Sequence, residues 1–199
     1  MIHDIPEAIR LNLIQTLTET TGKTLKLLNF SFFGGGCVNH GGKLETSEGG
    51  YFLKWNDLKK FPNMFKAETK GLQLLSTTDT LRIPKVVSAG ETNEHQFLLL
   101  EYFASAKPSD SYSINLGEKL ASLHRFTANN FGLDHSNFIG SLPQYNGFKP
   151  DWIDFFIHER LEIQLTIAEE DGLVDPQLRN QFLNLYKRLP IFSLRRILL

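Results

Sequence analysis

Hydrophobic and polar positions alternate in two different ways along this chain. Apolar residues recur every three or four positions from 6 to 20, a spacing that predicts an opening helix ended by Gly22. The next apolar and aromatic runs are short and bounded by glycine, which predicts strands with a hairpin turn at 48–50. These predicted strands are Thr24 to Phe33, Val38 to Thr46 and Tyr51 to Trp55.

A second helix and two further strands complete the first part of the chain. The helix is predicted to open at Pro62, because proline suits a first helical turn, with Phe65, Leu72 and Leu75 on its apolar face. Two short strands follow, at Val86–Val87 and Gln96–Tyr102. The second of these is continuously apolar, which is typical of an inner strand of a sheet.

Beyond this point the pattern becomes helical. Residues 104–112 are small and polar and contain proline, so we predict a linker between a mixed lobe at 1–103 and a helical lobe at 113–199. A cleft between two such lobes is where ligands usually bind. No strands are expected in the second lobe. Its helices are predicted at 113–127, 150–171 and 175–189, with a loop rich in Gly, Asn and Pro at 129–149.

Composition excludes several classes of protein. The net charge of -1 gives no basic footprint for nucleic acid or anionic lipid. A single cysteine cannot form an internal disulfide, which favours a reducing compartment. The apolar runs are too short to cross a bilayer, and the first residues do not resemble a signal peptide. We therefore expect a cytoplasmic protein with no membrane or nucleic-acid partner.

The most informative motif is a run of glycines between two predicted strands. Glycine lets backbone N–H groups approach phosphate oxygens closely, although an isolated triple glycine is also compatible with a flexible turn or bulge. The run fits neither the dinucleotide-binding nor the P-loop pattern. The predicted phosphate-covering residues are Gly34, Gly35, Gly36, Cys37, Val38 and Asn39.

Lys54 and Glu68 supply opposite charges downstream of the glycines. Lys54 lies in a strand of apolar and aromatic residues, where a buried ammonium needs an anionic partner. Glu68 falls in the first turns of the next predicted helix, the position from which a kinase helix pairs with the strand lysine. Taken singly, a solvent-facing lysine and a solvated glutamate are the alternatives. Their order after the glycine run favours a nucleotide site.

The end of the last predicted strand is the candidate adenine site. Backbone groups exposed there, just before the linker, could pair with the base, although a simple strand end is the alternative. The residues concerned are Leu100, Glu101, Tyr102 and Phe103. Cys37 is either a small packed residue or, in an exposed phosphate loop, a redox-sensitive thiol.

Two polar groups imitate catalytic or metal sites. His124 with Arg125 resembles the start of a kinase catalytic loop, but Phe126 occupies the position of the base and cannot accept a proton. We interpret His124 as a helix-end residue packed between lobes. The acidic residues at 151–162 have the spacing of a polar helix face, and the histidines show no metal-binding spacing. No catalytic residue and no metal ligand is therefore predicted.

Several motifs together resemble the fructosamine (ketoamine) kinases, relatives of the aminoglycoside phosphotransferases. The resemblance covers about Ser31 to Phe192 and includes the glycine run with Asn39, Phe52-Leu53-Lys54, and the segment from Phe65 to Leu72. Its most specific part is a block from Asn137 to Gln164. That block contains Asn146-Gly147, Asp151-Trp152, Phe155-Phe156 and Arg160.

The resemblance implies an α+β, protein-kinase-like fold, with an N-terminal mixed lobe built on an antiparallel sheet and a partial helical C-terminal lobe. It implies transfer of the ATP γ-phosphate to a ketoamine, a sugar adduct on an amine or a protein lysine. By the same carry-over Lys54 holds the phosphates, Glu68 orients Lys54, and Cys37 could act as a redox switch or link two chains into a homodimer.

The sequence departs from the family at its end. The family continues into a His-Gly-Asp loop and a magnesium-binding aspartate, whereas residues 193–199 show neither. We therefore expect ATP as the ligand, Mg²⁺ ligands in a missing C-terminal part, and a truncated or frameshifted product that is incomplete alone. A nucleotide-binding pseudokinase and an inactive, self-associating fragment are the alternatives. The block at 137–164 disfavours aminoglycoside and choline kinases.

Overall fold

The computed structural model describes residues 1–34, 36 and 38–193. The chain divides into two units, Met1–Lys119 and Leu120–Leu199. Residues 102–109 have no regular secondary structure. The linker between two lobes at 104–112 stays a prediction. Within the described ranges, no helix combines the length and apolar character needed to span a membrane.

The first unit is built on one antiparallel sheet. Its five strands lie in the order β1-β2-β3-β5-β4, so β3 and β5 are each paired on both sides. The inner position predicted for the apolar strand, now β5, is therefore confirmed. In chain order the elements are a 3-10 turn at Ile2–Asp4, α1 Glu7–Thr21, β1 Leu27–Phe32, β2 His40–Thr46, β3 Gly49–Asp57, α2 Met64–Ser76, β4 Val86–Glu91 and β5 His95–Glu101. Helix α3, Tyr112–Leu123, begins in this unit and ends in the second.

The two faces of this sheet are covered by different elements. Helix α1 buries Ile9, Leu13 and Leu17 completely, in one cluster with Leu53 and Trp55 of β3. The opposite face carries a smaller cluster, in which Phe65 and Leu72 of α2 pack with Leu98 and Leu100 of β5. Since neighbouring strand residues point to opposite faces, Phe52, Lys54 and Asn56 lie on the α2 face.

Several predicted boundaries in this unit were wrong. Helix α2 begins at Met64 because Pro62 lies in a turn and Asn63 adopts a left-handed conformation, with φ of 64°. Leu75, in its last turn, is 38% exposed and does not contribute to the apolar face. Helix α3 ends at Leu123 rather than at 127, and β1 begins at Leu27 rather than Thr24.

The second unit contains a small hairpin that was not predicted. Strands β6 Asn137–Ile139 and β7 Leu142–Gln144 pair around Gly140, which has φ of 60°. Each strand is three residues long, too short to produce a hydrophobic alternation. The helices are α4 Trp152–Phe156, a π-helix at Ile157–Leu161, α5 Glu162–Glu170 and α6 Pro176–Ser193. Helix α6 continues through Pro190, past its predicted end at 189.

Tyr186 of α6 gives this unit a defined response to alkaline pH. Burial, followed by the negative charge of Glu162, raises the pKa of Tyr186 to about 12. The folded state therefore holds the phenolic proton more tightly than the unfolded state, so stability is lost as pH rises from about 10 towards 12. We expect urea unfolding to show that Tyr186→Phe loses less stability than the wild type between pH 9 and pH 11.5, by about 2 kcal/mol at most. Equal losses in both proteins would contradict this assignment.

Candidate nucleotide site

Lys54 and Glu68 form an ion pair between β3 and α2. The Lys54 Nζ donates to Glu68 Oε1 at 2.7 Å and to Oε2 at 2.6 Å. The two side chains are 21% and 30% exposed, so the pair is partly withdrawn from water. The ammonium also lies 5.5 Å from the centre of the Phe65 ring. Because an ammonium has three N–H donors, Lys54 can still donate to a second anion.

An aromatic surface lies beside the strand that carries this ammonium, with one of its rings, Phe52, on that strand. The Phe33 ring stacks on Phe52 with centroids 5.9 Å apart and lies 6.2 Å from the Tyr102 ring. Phe33 is 47% exposed. Phe52 precedes Lys54 by two residues, which places the two side chains about 7 Å apart along one face of the strand. The arrangement offers a stacking surface for a base beside a cation for phosphates.

The glycine-rich segment leads from β1 to β2. Gly36 approaches the backbone closely: a Cβ at this position would lie 2.9 Å from the Asn39 carbonyl oxygen. Around Gly34, by contrast, the space is open. Asn39 is half-buried and accepts a hydrogen bond from Asn56. Gly35 and Cys37 lie outside the described residues, so the redox and dimer predictions for Cys37 are untested, and the phosphate-covering role of the segment stays a prediction.

The end of β5 carries two charged contacts. Glu101 accepts a hydrogen bond from Arg82 Nη2 at 2.7 Å, and this bond holds the pKa of Glu101 below its usual value. The same guanidinium lies 4.1 Å from the centre of the Phe103 ring. Leu100 is buried, and Lys43 Nζ lies 5.2 Å from the centre of the Tyr102 ring. The side chains of Glu101 and Phe103 are thus engaged by Arg82, and adenine binding at this strand end stays a prediction.

Two buried amides beside the ion pair were missed. Asn56 and Gln96 face each other across β3 and β5 and are 2% and 1% exposed. Their sequence signal is weak: a polar residue two positions after Lys54, and another at the start of an apolar strand. Without the strand register, neither could be assigned to a buried face.

The acidic residues of the second unit that imitate a metal site have structural roles. Asp151 caps α4 by accepting the Asp154 backbone N–H at 3.0 Å, and Asp154 lies 3.2 Å from His158. His124 follows the last residue of α3, as expected for a helix-end residue, and its packing between lobes stays a prediction. Across the ranges that the structure describes, no group of three His, Cys, Asp or Glu residues could hold a metal ion.

The block at 137–160 folds around Asn146 and Arg160. Asn146 is 3% exposed and donates to the His135 carbonyl at 2.9 Å and to Asn137 Oδ1 at 3.0 Å. Arg160 Nη2 donates to Asn146 Oδ1 at 2.6 Å, and its Nη1 donates to the Tyr145 carbonyl. The guanidinium also lies over the Phe155 ring. These residues therefore connect the β6–β7 region to the π-helix. This structural role explains why the block contains an asparagine and an arginine at these positions.

The antiparallel sheet, with a lysine on its third strand paired to a glutamate on the following helix, defines an α+β protein-kinase-like fold. The sequence matches the fructosamine kinase family over residues 10–192. The chain belongs to that family, and the resemblance identified from its motifs is confirmed.

Curated relatives agree with this assignment. A probable ketoamine kinase of Synechocystis sp. is 34% identical over 155 residues, covering 77% of this chain and 52% of the relative. A chloroplastic protein-ribulosamine 3-kinase of Arabidopsis thaliana is 35% identical over 153 residues, covering 76% of this chain and 47% of the relative. The chain thus spans about half the length of the curated relatives it matches.

Solved structures show the same fold. A crystal structure from Haemophilus somnus 129PT, assigned as a candidate fructosamine-3-kinase, superposes with a TM-score of 0.74 at 30% identity. The match covers 81% of this chain and 55% of that one. The predicted protein-kinase-like α+β class is therefore confirmed.

Proposed function

We propose that this chain binds ATP at the Lys54–Glu68 pair and serves the phosphorylation of ketoamines. The acceptor would be a fructosamine- or ribulosamine-type adduct, free or attached to a protein lysine. The single observation that carries the proposal is the contact between Lys54 Nζ and both carboxylate oxygens of Glu68, because it fixes an ammonium that can still donate to phosphate. Membership of the fructosamine kinase family supports the choice of acceptor.

Each predicted contact has a distinct part in this proposal. Lys54 would hold the phosphates while Glu68 keeps the ammonium in place. The glycine-rich segment from Gly34 to Asn39 would cover the phosphates, and the strand end from Leu100 to Phe103 would meet adenine. The exposed ring of Phe33 beside Phe52 adds a surface on which the base could stack.

Magnesium is part of the proposal through the nucleotide. Phosphoryl transfer from ATP uses metal ions that neutralise charge on the phosphates. The residues that the structure describes supply a cation for those phosphates but no carboxylate cluster that fits a metal. We therefore assign the metal to none of the residues that the structure describes.

We also propose, from its sequence context, that Cys37 is redox-sensitive. In a cytoplasmic setting its thiol would stay reduced, and a peroxide-type oxidant would convert two such thiols into a disulfide that links two chains, with water as the other product.

Binding and turnover are tested together. We expect ATP to raise the thermal midpoint of the full chain, with and without magnesium, because a ligand that binds the folded state stabilises it. Phosphate transfer is measured in parallel with a small ribulosamine and with a ribated protein as acceptors. Binding with transfer supports a ketoamine kinase, and binding without transfer supports the nucleotide-binding pseudokinase alternative. If ATP neither binds nor stabilises the chain, the proposal is wrong.

A further inference from the structure

Two amides are buried in the sheet face that carries Lys54. Asn56 lies two residues after Lys54 on β3, and Gln96 is its direct partner on β5. Leu98 and Phe52, on the same face, are apolar. Because a buried amide is costly unless it is hydrogen-bonded, the partners of Asn56 and Gln96 indicate what the two residues do.

Asn56 links three parts of the candidate site. Its Nδ2 donates to Asn39 Oδ1 at 2.6 Å, at the end of the glycine-rich segment, and contacts Met64 Sδ at 3.2 Å, at the start of α2. Sulfur is a weak acceptor, so the bond to Asn39 is the stronger of the two. The Oδ1 of Asn56 has no hydrogen-bond partner among the described residues. The amide is therefore held mainly through Asn39.

Gln96 secures the same helix end. Its Oε1 accepts the Phe65 backbone N–H at 3.2 Å, and its Nε2 donates to the Phe61 carbonyl. Helix α2 has no side-chain cap at Asn63, so Gln96 satisfies one of the N–H groups that a capping residue would otherwise take. Glu68 follows Phe65 by three residues, about one helical turn.

We propose that Asn56 is a positioning residue for nucleotide binding, and that its hydrogen bond keeps Asn39, the last residue of the glycine-rich segment, in a fixed position relative to Lys54 and Glu68. The inference rests on the proposed function. Because Asn56 is 2% exposed, it would act on the nucleotide through Asn39 on one side and through the first turn of α2 on the other. Gln96 supports the second contact.

The first test needs no nucleotide. Hydrogen exchange at the backbone amides of Val38 and His40 reports on the Asn56–Asn39 bond, because these two residues flank Asn39. In nucleotide-free full-length chain, Asn39→Ala and Asn56→Leu should each raise that exchange rate several-fold, because both remove the same hydrogen bond. Leucine fills the space of the amide, so Asn56→Leu keeps the core packed. Unchanged rates in both variants would show that the hydrogen bond from Asn56 does not hold Asn39 in place, and the proposal would be wrong.

The second test compares ATP with adenosine. We expect Asn56→Leu to weaken Mg-ATP binding about tenfold, the order expected for the loss of one buried hydrogen bond, with little change in adenosine binding. The double variant with Asn39→Ala should be no weaker than the worse single variant, because both act through one contact. Equal losses for ATP and adenosine, or effects that multiply in the double variant, would show a merely structural role.

A matched control and a reference variant separate the possible failures. Thr46→Val removes a buried hydroxyl that donates to Gly49 at 2.9 Å, at the opposite end of β2, and should leave the ATP-to-adenosine ratio unchanged. If ATP binding depends on Lys54 but not on Asn56, the inference is wrong and the proposed function stands. If the wild type binds no ATP, both are wrong.

Discussion

Replacing Lys54 with methionine is expected to weaken Mg-ATP binding about a hundredfold, the order expected when hydrogen bonds to a charged group are lost. The variant removes the ammonium that we assign to the phosphates and leaves the Glu68 carboxylate without its partner, 30% exposed at the same site. That carboxylate would then repel the triphosphate instead of orienting a cation. Titration calorimetry on the full chain measures the change.

The control is another paired lysine. Lys66 lies on α2 and forms an ion pair with Glu91 at 2.7 Å, but its side chain is 63% exposed. Lys66→Met should leave ATP affinity unchanged. Glu68→Gln, which keeps the shape of the side chain but removes its charge, should weaken binding less than Lys54→Met. Wild-type affinity in Lys54→Met would mean that the ammonium does not meet the phosphates.

Gly42→Ala is expected to destabilise the first unit by about 3 kcal/mol, the upper part of the usual range for overpacking. Gly42 pairs with Phe32 across β1 and β2. A Cβ at Gly42 would lie 2.8 Å from the Phe30 ring and 2.9 Å from the Phe32 Cα, and would collide with the Ser31 carbonyl. Two of these neighbours are backbone atoms of a paired strand and cannot move aside without breaking the ladder. Urea unfolding measures the loss.

The same substitution elsewhere should have the opposite sign. Gly71 lies within α2, and nothing within 4 Å would meet an added Cβ. Gly71→Ala should therefore stabilise the chain by roughly 0.5–1 kcal/mol, because alanine loses less backbone entropy in a helix than glycine does. A loss below about 1 kcal/mol for Gly42→Ala would show that β1 can shift to accept the methyl group.

The elements predicted correctly are those whose pattern is long or strongly bounded. Helix α1 repeats apolar residues over four turns, and β5 is continuously apolar, so each was recognisable without knowledge of its neighbours. Lys54 and Glu68 could be singled out because each has an expected place relative to the glycines. The distance between their charged groups depends on how α2 packs against β3.

The missed features depend on register or on backbone conformation. The β6–β7 hairpin has strands of three residues, one of which contains Pro143, and its turn depends on the positive φ of Gly140. The start of α2 shifted because Asn63 adopts a left-handed conformation that its residue type permits but does not require. Asn56 could not be recognised as buried, because a slip of one residue would have turned it to the other face.

The lysine at the centre of the proposed site is carried by an inner strand. β3 pairs with β2 from Gly49 to Trp55 and with β5 from Tyr51 to Asp57, and its alternate residues are anchored in the cluster beneath α1. Such a strand cannot bend towards a ligand, so the ammonium is already in place when the ligand arrives. Binding then carries little entropic penalty for ordering the cation.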